Sequence, residues 1–371
     1  MRRLASLVTD CPDGGRRPFV ALENVESGTG RLTLKELDER DGPDAGAAAV
    51  EPDFVLFGKL RPYLAKTWLV DRPVYASTEL LALRAEDGVD SRWLAYLCSS
   101  RPLIEWAVAT SDGTKMPRTS WEKLASFRVD VPPRREQRAI ADFLDAETAQ
   151  IDALIEKKRR MIELAASRFS GEAARRILGN LDPITGGGEL HEGWRRPRLG
   201  VALRLQRGFD LPQDARQEGA VPVVSSGGVS GSHDVAACQP PGVVTGRYGT
   251  VGDVHFVDVP YWPLNTTLFV SDFRGNEPRW VYYLLRVLPL NIDEEKSAVT
   301  GINRNVVGQL FVPLPPVHAQ REIPATLDAL ERHQRALSNR LASQINLLRE
   351  HRQALITAAV SGQLEIAKAA A

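Results

Sequence analysis

Between residues 134 and 178 the apolar side chains fall at Ile140, Leu144, Ile151, Leu154, Ile162 and Ala165. This spacing is built from threes, fours and sevens and marks one narrow stripe on a helix. No proline interrupts the run. Residues 317–361 repeat the register with Ile323, Leu327, Leu330, Leu337, Leu341, Ile345, Leu348, Leu355 and Ala359, and polar Gln334 and Arg352 take stripe positions. Pro324 sits in the first turns, where a missing amide donor costs least. Each pattern covers 45 residues, a helix of roughly 68 Å at about 1.5 Å per residue. That suits a coiled-coil strut, and each stripe needs a partner. The nearest is the other copy, so the sequence predicts two long helices paired antiparallel.

The two helices open alike. Pro132-Pro133-Arg134-Arg135-Glu136-Gln137-Arg138-Ala139-Ile140 returns as Pro315-Pro316-Val317-His318-Ala319-Gln320-Arg321-Glu322-Ile323, and an offset of 183 holds through Leu144/Leu327 to Gly179/Gly362. Before each helix lies a module of 120 to 130 residues with short strand-like runs at 54–57, 80–83, 242–244 and 267–270. Inside the modules the landmarks Leu80/Leu268, Trp93/Trp280, Tyr96/Tyr283 and Arg118/Arg304 recur at offsets of 186 to 188. The chain is an internal duplication. The expected fold class is α+β, with two mixed modules, each followed by a long helix, in a pseudo-twofold repeat. The expected divisions are module 1 at 1–133, helix 1 at 134–180, a Pro/Gly linker at 181–193, module 2 at 194–316, helix 2 at 317–362 and a tail at 363–371.

The 371 residues carry no net charge, and 38 Arg against 9 Lys give no global polybasic signal. A nucleic-acid partner must therefore meet a locally basic face. Three scattered cysteines, Cys11, Cys98 and Cys238, fit neither a disulfide framework nor a metal cluster and suggest a reducing, cytoplasmic setting. There is no apolar run of membrane-spanning length and no signal-peptide pattern, so a soluble, unprocessed protein is expected.

The opening Pro-Pro-x-x-Glu-Gln-x-x-Ile-Ala-x-Phe-Leu-Asp at 132–145, its continuation Ile151 to Lys158, and the ending Leu348 to Gln363 resemble the specificity subunits of type I restriction-modification systems. Phe57-Gly58-Lys59-Leu60-Arg61-Pro62-Tyr63-Leu64 and Gly193-Trp194 support the likeness, which covers nearly the whole chain. It implies two target-recognition domains, each reading half of a split double-stranded DNA site, held apart by conserved spacer helices. It also implies a non-catalytic chain that assembles with methyltransferase subunits, two by expectation, and with restriction subunits in defence against foreign DNA. No cofactor is expected on this chain; S-adenosylmethionine, ATP and Mg are expected on the partner subunits. Ala319 replaces Glu136 and Val317-His318 replace Arg134-Arg135, so the second helix opening departs from the pattern. The first module lacks the Gly-Trp lead-in, which leaves a trimmed or misassigned start open.

Candidate contacts follow from local chemistry. Lys59, Arg61, Tyr63 and Lys66 place three cations and an aromatic in one short segment, suited to phosphates and a base face or edge, or else to a solvated strand edge. Lys115 and Arg118 lie in the polar loop at 111–118. In module 2, Ser225, Ser226 and His233 belong to a Gly/Ser-rich run, and Arg247 and Tyr248 sit on a tight Gly246–Gly249 turn, whose glycines can also simply serve the turn. Arg304 completes the set. For partner subunits the candidates are Phe143, Ile155, Lys157, Lys158, Arg159, Arg160 and Phe169, on faces that a two-helix coil does not use. Gly246-x-x-Gly249-x-x-Gly252 lacks dinucleotide-fold spacing, no Walker lysine or hydrolase elbow occurs, and the six histidines show no paired ligand spacing. The alternatives are a specificity protein for a methyltransferase without a nuclease, and a coiled-coil scaffold binding protein or glycan.

Overall fold

The computed structural model describes residues 1–9, 15–33, 37–41, 47–247, 252–291 and 301–366. The chain divides into two compact units, Met1–Arg159 with Ala342–Ala371, and Arg160–Leu341. The division cuts across both long helices, Arg134–Leu178 and Val317–Val360, so each unit holds one module and a part of each helix.

In the first unit an antiparallel sheet runs in the order Ala5–Leu7, Leu80–Ala85, Val55–Gly58, Thr67–Leu69. The second unit repeats it as Arg204–Arg207, Thr267–Asp272, Gly242–Gly246, Val254–Val257. A second sheet recurs as well. In one unit Arg16–Val20 lies parallel to Val74–Ala76 and antiparallel to Glu39–Asp41; in the other Val221–Ser225 lies parallel to Trp262–Pro263 and antiparallel to Gly228–His233. The central strands Val55–Gly58 and Gly242–Gly246 are buried on both faces, which is why their sequences read as unbroken apolar or small runs rather than alternating ones.

Each main sheet is covered by an amphipathic helix, Ser91–Ser99 or Pro278–Val287, that buries Trp93 or Trp280 completely. The first long helix contributes Ile140 and Leu144 to the core of its own unit, where they join Ile356, Ala359 and Val360 from the second. Further along, Lys158 Nζ donates to Gln344 Oε1 at 2.7 Å. Positions thus rise on one helix as they fall on the other, the antiparallel pairing that the repeat demands. In the second unit Ala173 and Ile177 share a core with Leu327.

The seam departs from the expected stripe at two places. Leu154 is 48% exposed and Ile155 is buried; likewise Leu330 is exposed while Glu331 is buried. Steps of four from Ile151 and Leu327 lead to Ile155 and Glu331, and this spacing, rather than hydrophobicity, selects the inward residue. Arg352, a polar interruption of the stripe, is also buried: its guanidinium donates to Gly28 O at 2.8 Å and Thr29 O at 2.6 Å, and its Nε lies 3.3 Å from Asp152.

Candidate nucleic-acid interface

A buried glutamine fixes each module to its helix. Gln137 Oε1 accepts the Asp90 amide at 2.8 Å and its Nε2 donates to Pro132 O at 2.9 Å. Gln320 Oε1 accepts the Glu277 amide at 2.9 Å, and its Nε2 donates to Pro315 O and Asn276 Oδ1, each at 2.9 Å. Asp90 and Glu277 are the N-caps of the two covering helices. One side chain therefore ties the start of each covering helix to the start of the long helix that follows. These glutamines were legible only as part of the repeated Pro-Pro motif, where Gln137/Gln320 and Arg138/Arg321 are the polar side chains identical in both copies.

Ionic contacts continue the clasp. Arg92 reaches Asp142 at 2.7 Å and Asp145 at 2.8 Å, and Tyr96 donates to Asp145 at 2.7 Å. At the matching positions Arg279 grips Asp328, its closest contact 2.6 Å, and Tyr283 donates to Asp328 at 2.6 Å and Glu331 at 3.0 Å. Arg286 also reaches Glu331 at 3.0 Å. Burial pushes the Asp328 and Glu331 carboxyls upward, but the bonds and charges of Arg279, Tyr283, Arg286 and Arg335 overcome it and hold both below their ordinary values.

The two modules present one scaffold position with different side chains. Lys59 N donates to Glu79 O, and Lys59 O accepts the Thr119 amide; Arg247 N donates to Thr266 O, and Arg247 O accepts the Ile302 amide. The paired backbone bonds place Lys59 and Arg247 at equivalent strand ends. In the first unit the loops at 59–66 and 111–118 meet there, through Arg61 N to Pro117 O and the Leu60–Arg118 bridge. Lys59, Arg61, Lys115 and Arg118 thus gather at one edge. Arg61, Lys115 and Arg118 are exposed, Lys59 donates to Thr78 O at 2.6 Å, and Arg118 is paired with Glu79. Burial lowers the pKa of Lys59. Arg61 adopts a left-handed backbone, φ 50°, to turn the strand into the short helix Pro62–Leu64.

Other candidates go elsewhere. Lys66 Nζ is engaged by Leu22 O at 2.8 Å, inside its own module. Tyr63, 53% exposed, stands at the mouth of a cleft between its module and the long helices, not with the cations. In the second unit Ser225 Oγ donates to Gly228 O at 2.9 Å, and Ser226 O lies 3.2 Å from His255 Nε2. His233 is buried: its Nδ1 accepts the Gln217 amide at 3.1 Å and its ring meets Trp262 edge-on. It holds the fold and presents nothing to a ligand. Tyr248 lies outside the described residues. Arg304 is exposed at the start of a four-residue helix, two residues from Ile302. Close to it stands exposed Arg204, which the sequence reading did not single out.

Among the partner candidates, Ile155 is turned into the seam, Phe143 packs on the first core, and Phe169 packs on the second core beneath Arg286, 5.3 Å from ring to guanidinium. Ile155 is buried, whereas Phe143 and Phe169 are partly buried beside the cores they pack on. Lys158 is bonded to Gln344 and Arg159 to Glu156 at 2.5 Å, while Lys157 and Arg160 are exposed. The exposed apolar residues of the first long helix are instead Leu154, Met161 and Leu164. Among the described residues no helix is long and apolar enough to cross a membrane.

Two α+β modules of one topology, each clasped at its covering helix to a long helix of a repeated pair, define an internally duplicated protein of two modules and two long helices. Residues 45–164 match the family described as type I restriction modification DNA specificity domain. The specificity subunit of the type I restriction enzyme MjaIX of Methanocaldococcus jannaschii is 26% identical over 137 residues, covering 34% of this chain and 31% of that protein. That of EcoDI from Escherichia coli is 23% identical over 135 residues, covering 36% and 30%. The chain spans about a third of the length of these curated relatives. A solved chain from work on complex assembly and conformational transition of the type I R-M system superposes with a TM-score of 0.75 at 20% identity, covering 95% of this chain and 96% of that one. The chain is thus similar to type I restriction-modification specificity subunits over residues 45–164 and shares its fold with the solved type I R-M chain.

Proposed function

We propose that this chain is the non-catalytic, DNA-reading subunit of a cytoplasmic type I restriction-modification complex, recognising a bipartite target in double-stranded DNA. The observation that carries this reading is the equivalence of Lys59 and Arg247, two cations set at the same strand end of two modules by the same pair of backbone bonds. Phosphate pairing at such edges supplies salt-dependent affinity, and side chains that differ between modules supply sequence choice. Methyltransferase and restriction subunits assemble on the chain and carry S-adenosylmethionine, ATP and Mg, so the chemistry is theirs. The relatives' names, which refer to specificity subunits of restriction enzymes, support this assignment.

The helices set the interval between the half-sites. Insertion of four residues in both helices adds about 6 Å, which corresponds to one to two base pairs at about 3.4 Å each. Methylome sequencing of the host with the wild-type gene, with the insertion variant and without the gene tests both statements. The reading expects a split motif that vanishes with the gene and whose spacer lengthens in the variant. A motif that persists without the gene refutes the assignment, and an unchanged spacer refutes the ruler.

A further inference from the structure

The second unit carries a depression of about 210 Å³ lined by Leu199, Gly200, Leu203, Arg204, Leu205, Arg304, Asn305 and Gly308. Two of these eight residues are arginines and none is a carboxylate. Arg204 opens the edge strand of the sheet, and Arg304 follows the loop that joins Arg247 through Ile302. Both are exposed, and neither guanidinium has an ion pair or hydrogen bond among the described residues. The nearest acid by strand register is Asp272, opposite Arg204, and its carboxylate caps the Arg274 amide at 2.8 Å. Gly200 and Gly308 bring their backbones together at the floor, where a Cβ on Gly200 would lie 3.3 Å from Gly308 O, so the recess stays open to a small group.

Among its described residues the first unit does not repeat this pair of arginines. Its matching strand begins with buried Ala5 in place of Arg204, and Arg118 is neutralised by Glu79, where the second unit has Thr266. Two guanidiniums without a partner among the described residues, beside a recess with no acid among its described lining, form a receptor for a tetrahedral dianion or a phosphodiester, because the forked donors match phosphate oxygens.

We propose that Arg204 and Arg304 clamp one phosphate of the DNA backbone, giving the second module a positioning contact that the first module lacks. The inference rests on the DNA-reading function proposed above. A phosphate clamp contributes to affinity on any sequence and weakens with salt, whereas a base-edge contact changes sequence preference.

The test uses the full chain with its methyltransferase subunit, titrating salt against duplexes with and without the target. The Arg204→Gln/Arg304→Gln double variant is expected to lose affinity on both duplexes and to flatten the slope of log K against log salt by about 0.9. Between about 50 and about 200 mM salt the ratio of wild-type to variant affinity then shrinks roughly 3.5-fold. Arg204→Lys/Arg304→Lys keeps the charge and is expected to restore the slope, which separates the clamp from a folding defect. An unchanged slope in the Gln variant, or a loss confined to one base pair of the target, overturns the clamp. Inorganic phosphate that protects the wild type from thermal unfolding but not the Gln variant, with identical DNA slopes, assigns the recess to a free anion and overturns it too. If the wild type binds no duplex at all, the DNA-reading function itself fails along with the clamp.

Discussion

Replacing Gln137 with Leu removes the clasp of the first module while leaving volume and shape nearly intact. The Asp90 amide and Pro132 carbonyl, bonded at 2.8 and 2.9 Å, lose their partner around a side chain only 1% exposed. Each unsatisfied group costs about 1 to 3 kcal/mol, the lower part applying to Asp90 because it is partly exposed. The more apolar leucine offsets about 1 kcal/mol. The net loss is about 1 to 3 kcal/mol in the free energy that holds the Ser91–Ser99 helix to the long helix, or roughly 5- to 150-fold in the population of the opened junction.

Because the chain divides into two compact units, a single melting temperature is the wrong readout for a change in one of them. Native-state hydrogen exchange resolved by peptide is the suitable one. Amides of 91–99 and of the first turns after Arg134 are expected to exchange faster by that factor, with 278–287 unchanged. Gln320→Leu is the reciprocal experiment, expected to release 278–287 and the turns after Val317 through loss of Glu277, Asn276 and Pro315 contacts. An acceleration below about threefold, or one appearing in the unsubstituted unit, would refute the argument that these glutamines fix the modules.

Arg352→Met removes three contacts of a buried guanidinium, though Asp152 keeps Arg31 at 2.9 Å; a loss of about 3 kcal/mol, at the low end for a broken buried pair, is expected in the exchange protection of residues 26–31. The clasp of the second unit is also expected to weaken in acid. Asp328 and Glu331 have carboxyls held below their ordinary values of 3.8 and 4.5, so their contribution is complete above those values and is lost as the pH falls through the lower, folded ones. Exchange at 278–287, corrected for its intrinsic pH dependence, is expected to accelerate below about pH 4 and not between about pH 5 and 7.

The duplication, both long helices and the main strands were legible because they rest on signals written in the chain itself: a motif repeated at fixed offset, a helical stripe, and runs such as Val55-Leu56-Phe57. What misled was the assumption that the stripe follows the most apolar residue. Ile155 displaced Leu154 from the seam because steps of four follow Ile151, and Glu331 and Arg352 went inside because module residues, Tyr283 and Arg286 for one and the Gly28 and Thr29 carbonyls for the other, satisfy them there. Neither set of partners is adjacent in sequence. The same limit applies to the site. Lys59 and Arg118 looked like two separate candidates, yet tertiary pairing brings them together and supplies Glu79 as a counter-charge. His233 looked like a loop donor until its ring was placed against Trp262. Arg204 gave no local signal, since a single arginine on a short strand acquires meaning only beside Arg304.

Backbone bonds at Lys59 and Arg247, the glutamine clasp, and the fully buried tryptophans are held in common. Side chains set on that frame differ: Glu79 against Thr266 beneath the shared cation and exposed Arg204 against buried Ala5 on the edge strand, and, inside the clasp, Thr148 against Glu331. A change of surface side chain away from caps and cores costs at most about 0.5 kcal/mol of stability, whereas a good bidentate contact to a base shifts discrimination by about 1 to 3 kcal/mol. Reading specificity can therefore move several times further than stability under the same substitution. A duplicated module whose covering helix is secured by buried backbone partners is free to diverge at its edge, and that separation of holding from edge chemistry is what the proposed reading of two unlike half-sites requires.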